Sequence, residues 1–138
     1  SVRDKILNYL NSKIKKNDIE ILSTSGSLIQ LIDNNKSKIL LQVYYIESEN
    51  RIISIIEDLE IIDEYNGDVN DIILYLDYVI THEVIKYEEY CSDKLVKRYY
   101  EFYHHLNNKE EKVKLVSINK LSFFCKRDIK ITKYIPWV

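Results

Sequence analysis

The sequence predicts one α/β domain, a mixed central sheet of about four to six strands with helices on its faces. Three observations lead there. Apolar residues recur at helical spacing in three stretches, and short β-prone runs fall between them. The 138 residues, 46% apolar and 30% charged, suffice for one core of ordinary composition and are too few for two.

From the amino end, Val2, Ile6, Leu7, Leu10 and Ile14 recur every three or four positions with polar residues between, so residues 2–16 predict an amphipathic helix. Residues 19–22 and 28–32 are β-prone runs joined by the small polar residues 23–27, a hairpin signal. Residues 33–37 make the next turn, and residues 38–46 are apolar on both faces, as a central strand is. Residues 47–50 offer caps and acids ahead of Ile52, Ile55, Ile56, Leu59 and Ile62, a spacing that predicts a second helix. Residues 63–70, with Gly67, read as the loop into a continuous apolar run at 71–76, expected to be a buried parallel strand. Strand, crossover helix and strand would make a right-handed βαβ unit. Leu95, Val96, Tyr99, Phe102, Tyr103 and Leu106 predict a third helix, capped by Ser92 and closed by Asn107 and Asn108. A strand at 113–118 follows, then short extended segments at 121–125 and 129–131, and Pro136 ends regular structure.

Ala and Met are missing, Gly occurs twice and Pro once, while Ile, Lys and Asn abound and Tyr occurs 12 times. This is the codon signature of an AT-rich genome, such as that of a virus, a plasmid or a low-GC microbe, and it weakens any argument from the tyrosines alone. The net charge of −2 speaks against a dedicated nucleic-acid binder. The charge is nevertheless uneven, because residues 47–77 are acidic apart from Arg51 and the C-terminal part is basic. Segregated charge can steer a partner, which makes Glu57, Glu60, Asp63 and Glu64, and Lys126, Arg127, Lys130 and Lys133, the candidate interaction residues. Cys91 and Cys125 are far apart and form no Cys-x-x-Cys pair, so two buried thiols are expected and neither a zinc site nor a disulfide framework. No apolar run approaches the roughly 20 residues that span a bilayer. The charged opening Ser1-Val2-Arg3-Asp4 is unlike a signal region, and a cytosolic address with no membrane association is expected.

This order of elements is compatible with a restriction-endonuclease-like core. Nucleases of that kind place an Asp at the end of one strand and an acid-x-Lys triplet on the next, so that carboxylates hold a divalent ion beside the phosphate. Asp33 is a candidate for the first acid, but Gln42-Val43-Tyr44 stands where the triplet would be and offers neither carboxylate nor ammonium. His104 and His105 would point about 100° apart on a helix and have no evident third ligand. Glu83 and Lys86, beside His82, are expected to form an ordinary i,i+3 ion pair. No Gly-rich phosphate loop and no nucleophile elbow is present, and Asn35-Lys36-Ser37 is a short glycosylation-type match of low specificity. No catalytic, cofactor-binding or metal-ligating residue is therefore assigned, and no cofactor is expected.

Leu28-Ile29-Gln30-Leu31-Ile32-Asp33 followed by Ile39-Leu40-Leu41-Gln42-Val43-Tyr44-Tyr45 resembles the paired strands of the N-terminal jaw domain of the fifth subunit shared by eukaryotic nuclear RNA polymerases. Residues 47–52 look like that family's acidic turn into a crossover helix, and residues 71–75 like its next buried strand. Leu121-Ser122-Phe123-Phe124-Cys125 and Ile135-Pro136-Trp137 are similar to its closing strand and exit. The family's second, assembly domain has no counterpart in these 138 residues. The resemblance implies an endonuclease-like core without an active site, serving as a jaw-like accessory subunit bound mainly to larger polymerase subunits. The residues themselves leave two alternatives: an inhibitor, immunity-type or viral host-antagonist protein whose acidic face masks a basic-surfaced target, and a divergent metal-dependent nuclease. A protein partner is expected, with nucleic acid secondary.

Overall fold

Helix α1 (Val2–Lys13) forms where the apolar spacing predicts it, and Ser1 caps it by accepting the Asp4 N–H at 3.2 Å. Ile6 and Leu10 are its buried residues. The structure is a computed structural model that describes residues 1–21, 28–64, 69–106 and 109–138, with the side chains of 21, 62–64, 105 and 106 outside the description. The expected connection at 23–27, most of the Gly67 loop, and Asn107 and Asn108 lie outside the described residues.

Strands β1 (Ile19–Ile21), β2 (Ile29–Leu31), β3 (Leu41–Ile46), β4 (Arg51–Ile56) and β5 (Leu59–Glu64) make a five-stranded antiparallel sheet in sequence order. The second helix expected over 52–62 is thus a hairpin. Its isoleucines satisfy both periods, but β-branched side chains favour the pleated surface. Ile52, Ser54 and Ile56 alternate inward. Turns fix both ends of β4, where Asn50 (φ 53°) and Glu57 (φ 58°) occupy the left-handed region.

The run expected to be a parallel strand is helix α2 (Val69–Thr81). The apolar pattern continues past residue 76 to Val79 and Ile80, and Val69, Ile72, Leu76, Val79 and Ile80 are buried at helical spacing. Apolar residues extend round this helix because it is enclosed. It packs on α1, and its Tyr75 hydroxyl takes a hydrogen bond from Ser54 on β4 at 3.0 Å.

Strands β6 (Val84–Cys91), β7 (Lys94–Leu106), β8 (Lys109–Asn119) and β9 (Arg127–Tyr134) form a second antiparallel sheet in the order β8-β7-β6-β9, with α2 against β7. The third helix expected over 95–106 is β7. Val96, Tyr100 and Phe102 alternate into the core, and Val, Tyr and Phe are strand-favouring residues. Ser92, expected to cap that helix, instead forms a two-residue turn with Asp93, both at positive φ (47° and 69°). Such a turn matches the twist of the flanking strands. Mixed α/β content therefore holds, but as two antiparallel sheets and two helices among the described residues, and every described strand pairing is antiparallel, so the βαβ crossover is not formed.

After β9 the chain returns to the first sheet. The Ile135 N–H donates to the Ser37 carbonyl at 2.8 Å, Trp137 N–H to Ile80 at 2.8 Å, and the Trp137 indole to Ile39 at 3.0 Å. Trp137 is buried with the core cluster that includes Leu10, Leu41, Ile56, Leu76 and Tyr100. Among the described residues no helix is long and apolar enough to cross a membrane.

Candidate functional site: a charged seam and an uncovered sheet face

Period-two alternation gives the second sheet two chemically different faces. The inner face, towards α2 and the first sheet, carries Lys86 and Glu88 on β6, and Arg98 and Tyr100 opposite them on β7. The β4–β5 turn brings Glu57 and Asp58 onto these residues. Lys86 Nζ sits 2.7 Å from Glu57 Oε1 and 3.9 Å from Glu88 Oε1, and Tyr134 donates to Glu57 Oε2 at 3.0 Å. Arg98 donates to Asp58 Oδ2 and to Glu88 Oε2, both at 2.8 Å, and the Tyr100 hydroxyl donates to Asp58. Glu88 is only 5% exposed and has Arg98 at 2.8 Å as its nearest cation. Removing one partner of such a buried pair typically costs about 3–5 kcal/mol.

The seam shifts the ionisation of its members in consistent directions. Burial pushes the Asp58 carboxyl up, but hydrogen bonds from Tyr100 and Arg98 outweigh it and hold the pKa below the usual value. Burial alone would lower the Lys86 pKa, yet Glu57 and Tyr134 raise it. Tyr100 is pushed well above an ordinary phenol, by burial first and by Asp58 second. Glu57, Asp58, Lys86 and Arg98 are thus paired charges, and Tyr100 a neutral donor, that fasten one sheet to the other.

The candidate interaction residues are redistributed by the fold. Glu57 and Lys130, from the acidic and basic ends of the charge asymmetry, line the same cavity. Glu60 is exposed on β5, and Asp63 and Glu64 also lie on β5 with side chains outside the described residues. On β9, Arg127 and Lys133 alternate to one side and Lys130 to the other, with Lys126 just before the strand. The basic quartet is therefore divided between two faces, because neighbouring strand residues point oppositely.

The other sequence candidates have local roles. Asp33 accepts hydrogen bonds from the N–H groups of Asn35 (3.1 Å), Ser37 (3.0 Å) and Lys38 (2.9 Å) and from the Ser37 hydroxyl (2.7 Å). That hydroxyl first, then the backbone N–H groups, hold its pKa below the usual range. Gln42 donates to Gln30 across the β2–β3 pair at 2.7 Å. Lys86 pairs with Glu57 rather than with Glu83 as expected, since β6 is a strand and not a helix. His82 Nε2 lies 2.8 Å from Glu110, and the His104 ring rests 5.0 Å from that of Tyr75. The His105 side chain is outside the described residues. Among the described residues no three of His, Cys, Asp and Glu converge as a metal-holding group.

Among the described residues, no helix or strand is stacked on the outer face of the second sheet. One row across its four strands reads Ile131, Tyr87, Tyr99, Val116. The two tyrosine rings stack at 4.7 Å and 6°, while Ile131 and Val116 are 54% and 48% exposed. Lysines frame the stripe. Lys114 Nζ lies 5.7 Å and 5.9 Å from the Tyr87 and Tyr99 ring centres, and Lys97 Nζ lies 5.3 Å from Tyr99. Glu101 pairs with Lys112 and Lys114, and Glu89 with Lys97. In the adjoining row Ile85 is buried yet outside the core cluster, between Lys133 on one strand and Glu101 and Lys114 on the others. Long charged stems cover apolar surface in this way.

Beside this face runs the segment between β8 and β9. Leu121 is 91% exposed, Phe123 73%, and Phe124 fully so. Cys125 is joined to Cys91 by a disulfide with Cα atoms 5.4 Å apart, which corrects the expectation of two thiols. Sequence spacing cannot show it, because the β6–β9 ladder alone brings positions 34 apart together. Cys91 follows Tyr87 and Glu89 by alternation, so the bridge fastens the aromatic segment at an end of the outer face. Phe124 is held at φ 52°, a conformation that costs a bulky residue energy and concentrates at functional segments. This surface does not follow from the expected helix over 95–106, which scatters Tyr99 and Tyr103 around an axis. The available signal was the alternation of Tyr99, Glu101 and Tyr103 on one parity against Val96, Tyr100 and Phe102 on the other.

No protein-family model, no curated protein and no solved structure matches the chain.

Proposed function

We propose that this protein is a non-catalytic interaction module that binds a protein partner through the outer face of its second sheet and the disulfide-fastened segment beside it. The single observation that carries the reading is the apolar row from exposed Val116 through the half-buried stacked tyrosines to exposed Ile131, on the sheet to which the disulfide ties the segment of exposed Leu121, Phe123 and Phe124. Contiguous exposed apolar surface with a polar rim marks an interaction site, and aromatic residues are enriched in interface cores. Lys97, Lys114, Arg127 and Lys133 rim the face, so the complementary partner presents an apolar patch edged with acids. Glu89 and Glu101, set within the face, oppose a phosphate backbone and favour protein over nucleic acid.

Partner identity separates the narrower forms of this proposal: a jaw-like accessory subunit of a DNA-dependent RNA polymerase from an AT-rich virus or plasmid, or an inhibitor, immunity-type or host-antagonist protein. Of the segments that resemble the polymerase jaw, residues 28–33 and 39–45 contribute the paired strands β2 and β3, whereas residues 47–52 lead into a hairpin and residues 71–75 lie in a helix. The masking form rested on an acidic face whose Glu57 is paired with Lys86. A nuclease reading has no supporting observation, with the Asp33 carboxylate engaged by its own turn. The Cys91–Cys125 bridge favours an oxidising setting over the cytosolic address expected from the charged opening and the lack of a bilayer-spanning apolar run.

The test is affinity capture from the native source with the parent and an Ile131→Lys/Phe124→Ser variant, each with and without nuclease treatment. Both positions are exposed, so the variant should keep the parental circular dichroism. A stoichiometric protein retained by the parent after nuclease treatment and lost by the variant supports the proposal. Equal capture by both, a nucleic-acid-dependent complex, or a partnerless monomer would each overturn it.

A further inference from the structure

On the opposite side of the second sheet, the turn at 33–38, the tip of the β4–β5 hairpin and strands β6 and β9 line an open cleft of about 530 Å³. This is within the roughly 300–1,000 Å³ usual for small-molecule sites. Four lysines line it: Lys36 and Lys38 from the turn, Lys86 from β6 and Lys130 from β9. Two carboxylates share the wall, Asp33 and Glu57, and both are already engaged. Asp33 accepts four hydrogen bonds from its own turn, and Glu57 is held by Lys86 and the Tyr134 hydroxyl.

This leaves Lys36, Lys38 and Lys130 around one concave space, with no carboxylate within 4.0 Å of their ammonium groups among the described residues. Converging like charges raise the free energy of the empty site and are relieved by an anion. The remaining wall is apolar or aromatic, with Ile32, Leu40 and the Tyr134 ring. We infer that this cavity binds an organic phosphate of small-molecule size, its phosphate groups among Lys36, Lys38 and Lys130 and its carbon body against Ile32, Leu40 and Tyr134. The site faces away from the docking surface, so its occupancy does not depend on the proposed partner.

Trp137, the chain's one tryptophan, gives the site a built-in reporter, because Lys38 Nζ lies 5.2 Å from its ring centre. The experiment titrates ATP and inorganic pyrophosphate into the protein, read by tryptophan fluorescence and calorimetry at low salt. Saturable one-to-one binding of ATP is expected, tighter than that of pyrophosphate, weakening as salt rises. Lys36→Ala and Lys130→Ala should each weaken it roughly 10-fold, the scale of one charged hydrogen bond. Both side chains are exposed and their loss should leave the fold intact. The control is Lys15→Ala/Lys16→Ala, which removes two exposed charges away from the cavity and should change affinity less than about 2-fold. No saturable binding, or equal weakening in the control and the cavity variants, would overturn the inference.

Discussion

Asp58 shows how a single side chain joins the two sheets, since Arg98 of the second sheet bonds to it as well as to its own sheet's Glu88, and no other described cation reaches Asp58. Asp58 also makes the junction sensitive to acid. Its folded pKa is depressed below the ordinary 3.8, so its stabilisation is fully present above that value and is lost as pH falls through the folded pKa. The parent should therefore be more stable than Asp58→Asn at pH 7. The difference should close as pH drops below about 4, measured by urea denaturation across pH 2–7. A difference that is constant with pH would show that Asp58 is not held as the charged acceptor of Arg98 and Tyr100.

The elements depend on turns and on one covalent tie. In the second sheet, the Ser92–Asp93 turn sets the β6–β7 register, and the Cys91–Cys125 bridge closes a loop of separation 34 next to that turn. Constraint of the unfolded chain by such a loop is worth about 2–4 kcal/mol. Replacing both cysteines by Ser should lower the unfolding free energy by that amount while leaving far-ultraviolet circular dichroism unchanged. Limited proteolysis should then cut first within residues 120–126, because Leu121, Phe123 and Phe124 make little contact with the body and the tie is gone. Cleavage appearing first in β6 or β7 would contradict this account of the bridge.

At the scale of the molecule, α2 and the C-terminal tail hold the two sheets as one body. The tail matters out of proportion to its length, since Trp137 fills the core and bonds to backbone groups from both the first sheet's approach and the end of α2. Trp137→Ala should destabilise the protein by about 3–5 kcal/mol. Hydrogen exchange should speed up in both sheets together, and acceleration confined to β9 would show the tail to be a local anchor only.

The sequence by itself determined the amphipathic α1, the β1–β3 meander, the final strand region and the want of an acid-x-Lys triplet at residues 42–44. These are local: apolar spacing, turn residues and the identity of three consecutive side chains. Only the tertiary structure decided residues 51–64, 69–81 and 94–106. Their dense Ile, Leu and Tyr runs fit helical and strand periods alike, and the choice fell to burial against partners distant in the chain. The same long-range pairing united Cys91 with Cys125 and Glu57 with Lys130, and it left the Tyr87–Tyr99 face uncovered. A site assembled from four separate segments leaves no spacing for the sequence to show, because what defines it is proximity across strands.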